Sequence, residues 1–184
     1  NNRKINGSIS FLITGDEEGQ AINGTKKVID YLIKKKEKID FCIVGEPTNP
    51  NKLGEMIKIG RRGSLSCNLE IHGSQGHVAY PHLSKNPINS LITICKKLKE
   101  IPLDKGNKHF QPSNLEITGI HVDNKAHNVI PARAKTLFNI RYNNFHTSVS
   151  LKKLINSVIK SVCKKNKVKF KIEFFNSGDS FLTR

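Results

Sequence analysis

Acidic residues are scarce in this chain: 15 Asp and Glu stand against 31 Lys and Arg in 184 residues, a formal net charge of +16. Long apolar runs are missing too. No stretch approaches the length that crosses a bilayer, and no secretory leader opens the sequence, so no membrane partner is expected. Met56 is the one methionine, and the opening Asn1-Asn2-Arg3-Lys4 reads as the middle of a protein. The four cysteines (Cys42, Cys67, Cys95, Cys163) form no CxxC pair and no regular framework. Cys42, Cys67 and Cys95 fall within apolar patterns and are expected as small buried thiols in a reducing, cytoplasmic setting. Internal repeats and low-complexity segments are absent, which leaves one sizeable domain or two small ones.

The basic excess invites a nucleic-acid reading. Most of it is lysine, accompanied by abundant asparagine and isoleucine, and it spreads over helix faces such as Lys34-Lys35-Lys36 and Lys164-Lys165. A solvated face accounts for such runs. No RNP-like aromatic strand motif is present, and no nucleic-acid partner is expected.

What is present begins with Gly15-Asp16-Glu17-Glu18-Gly19, directly after the apolar run Ile9-Ser10-Phe11-Leu12-Ile13-Thr14. Three adjacent carboxylates repel one another unless a cation sits among them or one works as a base. A solvated turn capping the next helix is the competing account. A second carboxylate, Glu46, follows another apolar run, Ile39 to Val44. Between the runs, Val28, Ile29, Leu32 and Ile33 recur at helical spacing, and Lys34 to Lys36 suit a helix C-terminus. Strands over 8–14 and 39–44 around this helix form a βαβ unit, with both carboxylate groups at the C-terminal edge of a parallel sheet.

After Gly60-Arg61-Arg62-Gly63 the pattern alternates, with Leu65, Cys67, Leu69 and Ile71 on one side of a strand at 64–72. A helix follows Asn86-Pro87; strands are expected at 114–122 and 134–142, a helix at 148–164 and a strand at 167–175. This β-α-β-β-α-β order is ferredoxin-like: one four-stranded antiparallel sheet with two helices on one face. The fold class is therefore mixed α/β. It comprises part of an α/β catalytic domain over residues 1–62, an inserted ferredoxin-like α+β domain over 63–176, and the start of a return over 177–184.

Gly76-His77-Val78-Ala79-Tyr80-Pro81 presents a histidine after a tight glycine turn, where it can donate a hydrogen bond to an anion. Together with Asp16-Glu17-Glu18-Gly19, Val44-Gly45-Glu46-Pro47-Thr48, Arg61-Arg62-Gly63 and Asn128-Val129-Ile130-Pro131, in this order, it makes the chain resemble the M20 family of metallo-amidases. The resemblance covers essentially the whole chain and implies a zinc-peptidase-like catalytic domain carrying a dimerisation or lid domain. It implies Glu17 as general base, Glu18 and Glu46 as ligands to two zinc ions (cobalt being possible), and Asp16 as a supporting residue. His77 is implied as an oxyanion stabiliser acting across a homodimer formed through residues 63–176. Lys58, Arg61, Tyr80, Asn128 and Arg141 are implied as contacts to a small-molecule N-succinyl diamino dicarboxylate.

The departures from the family pattern are specific. The upstream His-x-Asp and the distal histidine that complete the metal site are not in this sequence, and His127 stands where a small residue is usual. His121-Val122-Asp123 has the right spacing but lies in the inserted domain, and is not assigned to metal. The expected reading is thus an internal fragment of an amide hydrolase, inactive by itself, with its remaining ligands outside this chain. Another M20 N-acyl-amino-acid deacylase is the alternative within the superfamily. A non-catalytic dimerisation module is the alternative from a different class.

Overall fold

Alternation of apolar and polar side chains produces the central element, β2 (Gly63–His72), where Leu65, Cys67, Leu69 and Ile71 turn to one face and are buried. The computed structural model describes residues 6–15, 17 and 21–183. Within them the remaining elements are α1 (Thr25–Lys34), β1 (Gly60–Arg61), β3 (Gly76–His77), a 3-10 turn at Pro81–Leu83, α2 (Pro87–Glu100), β4 (Asn114–His121), β5 (Val129–Ile130), β6 (Arg133–Tyr142), α3 (Ser148–Asn166), β7 (Lys169–Gly178) and β8 (Phe181–Leu182). The chain divides into two compact units, residues 1–50 and 51–184.

In the second unit, β4, β6, β2 and β7 pair antiparallel in that spatial order. Numbered along the motif this is 2-3-1-4, the ferredoxin-like arrangement expected from the element sequence. The helices form for local reasons. Asn86 caps α2 by accepting from the Ile88 N–H at 2.9 Å, and Pro87 occupies the first turn, where a missing N–H costs nothing. Thr147 and Ser150 bond reciprocally in a capping box at the start of α3. Lys167 ends α3 in the left-handed conformation, at φ 52°.

Leu91, Ile94, Cys95 and Leu98 recur at i, i+3, i+4 and i+7 on α2, and Leu151, Ile155, Ile159 and Val162 line one face of α3. Both stripes close onto the apolar face of the sheet, with Phe138, Ile140 and Tyr142 of β6. Each such fully buried side chain contributes roughly 1.5–3 kcal/mol, so this cluster supplies most of the unit's stability.

The mixed α/β class holds, but two local expectations do not. Residues 8–14 and 39–44 are not strands. Phe11, Ile13, Phe41 and Ile43 are each about nine-tenths exposed, and no described strand pairs with either segment. An apolar run becomes a strand only when a neighbour accepts its backbone bonds, and among the described residues of the first unit only the helix, whose bonds are internal, is formed. The helix itself is present as expected, with no fully buried residue. Cys42 is likewise exposed and not buried, because it sits in one of these unpaired runs; Cys67, Cys95 and Cys163 are buried. Burial pushes the Cys67 thiol up to about 12, which leaves it an inert core side chain.

Candidate functional site

The two-residue pair β3–β5 builds the histidine loop. His77 is the register partner of Val129, Gly76 that of Ile130, and the Val78 N–H donates to the Asn128 carbonyl at 3.0 Å. Asn128 thus lies across from Val78, the residue after His77. The Tyr80 N–H donates to the His77 carbonyl at 2.9 Å, which folds the loop back and puts the two rings 6.0 Å apart. All three side chains are exposed. The Ala79 N–H donates to His77 Nδ1 at 3.1 Å.

The base of the loop is cinched by reciprocal backbone bonds between Ser74 and Lys85, at 3.0 and 3.2 Å. Two glycines permit this. A β-carbon on Gly73 would stand 1.9 Å from the Lys85 carbonyl oxygen, and one on Gly76 would stand 2.6 Å from Cβ of Ser84. These are close approaches that only glycine tolerates.

Arg141 lies at the other end of the same sheet. The β2–β6 ladder runs from His72 opposite Arg133 to Gly63 opposite Tyr142, with Arg141 opposite Ser64. The Gly73 N–H bonds to the Ala132 carbonyl just beyond the Arg133 end, where the histidine loop departs. Eight residues of antiparallel strand separate Arg133 from Arg141, about 27 Å at 3.4 Å per residue, and His77 is carried by the loop that leaves at the Arg133 end.

Arg61 belongs to the Arg141 end. It is the partner of Phe181 in the short β1–β8 pair, which the Thr183 N–H extends by bonding to the Ile59 carbonyl at 2.6 Å. Lys58 is exposed two residues before β1. Arg62 takes a different part, donating to the Pro112 carbonyl and to Asn114 Oδ1. At this end Tyr142 donates to Asp179 Oδ1 at 2.6 Å, tying the strand that carries Arg141 to the segment after β7. Burial, then the bond to Asp179, pushes the Tyr142 phenol well above its ordinary value, and the Tyr142 hydroxyl holds the Asp179 carboxyl below its own.

The carboxylates belong to the first unit. Glu17 is exposed in a turn, and Glu46 is exposed with its carbonyl accepting from Thr48 at 2.7 Å. Asp16 and Glu18 lie outside the described residues. Among the described residues no group of three or more His, Cys, Asp or Glu could hold a metal ion. Glu46 offers the oxygen donor that zinc accepts, but the residues described do not by themselves make up a zinc site.

The structure therefore brings His77, Tyr80 and Asn128 to one end of the sheet and Arg61 and Arg141 to the other. Two participants escaped sequence reasoning. Ala79 acts through its backbone, which no side-chain pattern signals. Asp179 becomes significant only when the fold sets it against Tyr142.

Residues 59–167 match the M20-type peptidase dimerisation domain. The chain is 67% identical over 183 residues to the succinyl-diaminopimelate desuccinylase of Pelagibacter ubique, covering 100% of this chain and 48% of that protein. It is 48% identical over 177 residues to the enzyme of the same name from Paracoccus denitrificans, covering 96% of this chain and 46% of that protein. The chain spans about half the length of the curated relatives it matches. Among solved structures, a tripeptidase from Staphylococcus aureus superposes with a TM-score of 0.57 at 16% identity, covering 68% of this chain and 32% of the other. A hydantoinase/carbamoylase family amidase from Burkholderia vietnamiensis gives 0.57 at 13%, covering 67% and 30%. At such identities the two structures speak for the fold alone.

Proposed function

Given that the chain belongs to the M20 peptidase dimerisation family, we propose that it is part of an amide hydrolase that cleaves N-succinyl-LL-2,6-diaminoheptanedioate to succinate and the free diamine. The observation that carries this is the 67% identity, sustained over 183 residues, to a desuccinylase of that name. In this proposal residues 1–62 belong to the catalytic domain, 63–176 form the dimerisation domain and 177–184 begin the return. The setting is cytoplasmic, in keeping with four free cysteines; no helix among the described residues is long and apolar enough to cross a membrane.

The chemistry divides among the chain's own residues. Glu17 takes a proton from the attacking water as its oxygen bonds to the amide carbon, and delivers it to the amine nitrogen as the C–N bond breaks. His77 donates a hydrogen bond to the carbonyl oxygen as negative charge develops there. Lys58, Arg61 and Arg141 bind substrate carboxylates, for which the arginine fork is better shaped than a lysine point charge. Tyr80 and Asn128 complete the contacts beside His77. Divalent metal is part of the proposal, zinc or cobalt, two per site, with Glu18 and Glu46 as carboxylate ligands completed by donors outside this chain. Its contribution when bound is to acidify the water.

The sheet supports a homodimer as the working unit. Even the far carboxylate of such a substrate lies no farther from the scissile amide than the length of one heptanedioate chain, much less than the ladder of about 27 Å at whose opposite ends His77 and Arg141 sit. One substrate molecule meets both groups when His77 and Asn128 come from a second copy.

The test is succinate release by the full-length protein that carries this chain, with acetylornithine as the competing substrate and the metal content measured in parallel. Preferential turnover of the succinylated diamino dicarboxylate, abolished in Glu17→Ala with metal retained, is the expected result. Preference for acetylornithine would move the protein to another branch of the superfamily. No turnover of either by the metal-loaded protein would leave the dimerisation module as the reading.

A further inference from the structure

We infer that the backbone N–H of Ala79 is the positioning group for His77: it occupies ring nitrogen Nδ1 and so fixes the imidazole proton on Nε2. The contact is a donor-to-acceptor bond of 3.1 Å from the Ala79 nitrogen to Nδ1. A nitrogen that accepts a hydrogen bond carries no proton. The neutral ring must therefore hold its proton on the other nitrogen, and Nε2 becomes a donor.

The ring and the amide are held on one rigid turn. Tyr80 bonds back to the His77 carbonyl, Val78 bonds across to Asn128, and the Ser74–Lys85 bonds close the base of the loop. Pro81 then opens the 3-10 turn that follows. The amide of Ala79 thus has little freedom to leave Nδ1. The loop presents His77 as a hydrogen-bond donor of fixed direction and withholds the lone pair with which it could act as a base.

This inference deepens the proposed reaction and rests on it for the use made of Nε2. The hydrogen bond itself can be read without turnover. Two substitutions separate the ring's two ends. His77→Asn keeps an acceptor near the Nδ1 position and removes the Nε2 donor; His77→Gln keeps a donor amide at the far end and removes the near acceptor.

The experiment is NMR on the full-length protein labelled with 15N in histidine and backbone, with hydrogen exchange of the Ala79 amide. In the unsubstituted protein the neutral form of the His77 ring should show a pyrrole-type Nε2 and a pyridine-type Nδ1. Exchange of the Ala79 amide should stay within about twofold in His77→Asn and speed up about five- to tenfold in His77→Gln, the range of one hydrogen bond. His77→Asn should lose about a hundredfold in turnover, as for removal of one oxyanion donor, while its Ala79 amide stays protected. A proton found on Nδ1, or an Ala79 amide indifferent to His77→Gln, overturns the inference. If the unsubstituted protein has no desuccinylase activity, the proposed reaction fails, and the spectra still decide the role of Ala79.

Discussion

The ring of Tyr142 covers the α-carbon of Gly63. A β-carbon added at residue 63 would stand 2.3 Å from Cζ of that ring and 2.5 Å from Cε2. Tyr142 cannot retreat, because it is fully buried and its hydroxyl is bonded to Asp179. Gly63→Ala should therefore destabilise the protein by about 1–3 kcal/mol, the range for overpacking a core. Thermal unfolding of the full-length protein checks this, and an unchanged midpoint would mean that the ring moves freely.

Removing the hydroxyl tests the other half of the same contact. Tyr142→Phe deletes the bond that does most to hold the Asp179 carboxyl below its ordinary value. The Asp179 carboxyl resonance should then titrate at higher pH in the variant. Because Asp179 is depressed in the folded state, the stabilisation it brings is present above its unfolded pKa and is lost as pH falls through the folded one. Tyr142→Phe should weaken that acid dependence.

Acid should also act through Asp104, whose side chain is almost wholly buried. Burial pushes its carboxyl up, but bonds from Ser113, Gly106 and Asn143 together outweigh this and hold it below its ordinary value. The Asn143 amide stands at 2.6 Å and the Gly106 N–H at 2.7 Å. A depressed folded pKa means that this stabilisation is complete above the unfolded value and disappears as pH drops through the folded one. Asp104→Asn should cost about 1–3 kcal/mol at neutral pH and flatten the acid limb of a urea-unfolding series from roughly pH 7 to 3.

Gly73→Ala should disturb the histidine loop specifically. The new methyl would meet the Lys85 carbonyl at 1.9 Å, so the Ser74–Lys85 bonds at the base of the loop have to open. The expected outcome is at least a tenfold loss of turnover, since misplacement by about 1 Å costs up to a hundredfold, with metal content unchanged. Equal turnover in the variant would show that the loop base does not set the position of His77.

Mixing two inactive variants reads out the use of two copies. In a hybrid of His77→Ala and Arg141→Ala chains, a site drawing Arg141 from one copy and His77 from the other is intact once per dimer. Random reassortment of a two-fold dimer should then restore about a quarter of the unsubstituted activity. Sites built within one chain would show no recovery, which would sink the shared-site proposal.

The legibility of the fold follows the length of its elements. The strand expected at 64–72 spans Gly63–His72, and the helix expected at 148–164 spans Ser148–Asn166. Elements of 10 and 19 residues with one buried face write their period into the chain. The pairs β1–β8 and β3–β5 left no such trace, because two residues carry no periodicity. The runs at 8–14 and 39–44 misled for the opposite reason: their apolar pattern suits a strand, but a strand also needs a partner. At the site, the glycine-flanked motif pointed to His77, and the structure sets the Tyr80 ring beside it and bonds the next residue, Val78, to Asn128. The Tyr142–Asp179 bond was illegible, since its members are 37 residues apart.

The sequence by itself determined which residue types are available and the order of the amphipathic elements of the second unit, because capping and side-chain period are local. The tertiary structure alone decided where those residues stand relative to one another. Arg133 and Arg141 share a strand and an exposed face, yet the antiparallel register sends one to the histidine loop and the other to the end covered by Tyr142. Their distance apart follows from their spacing in one strand, but what flanks each of them comes from which strand pairs with which, and pairing is a property of the folded sheet that no single segment carries.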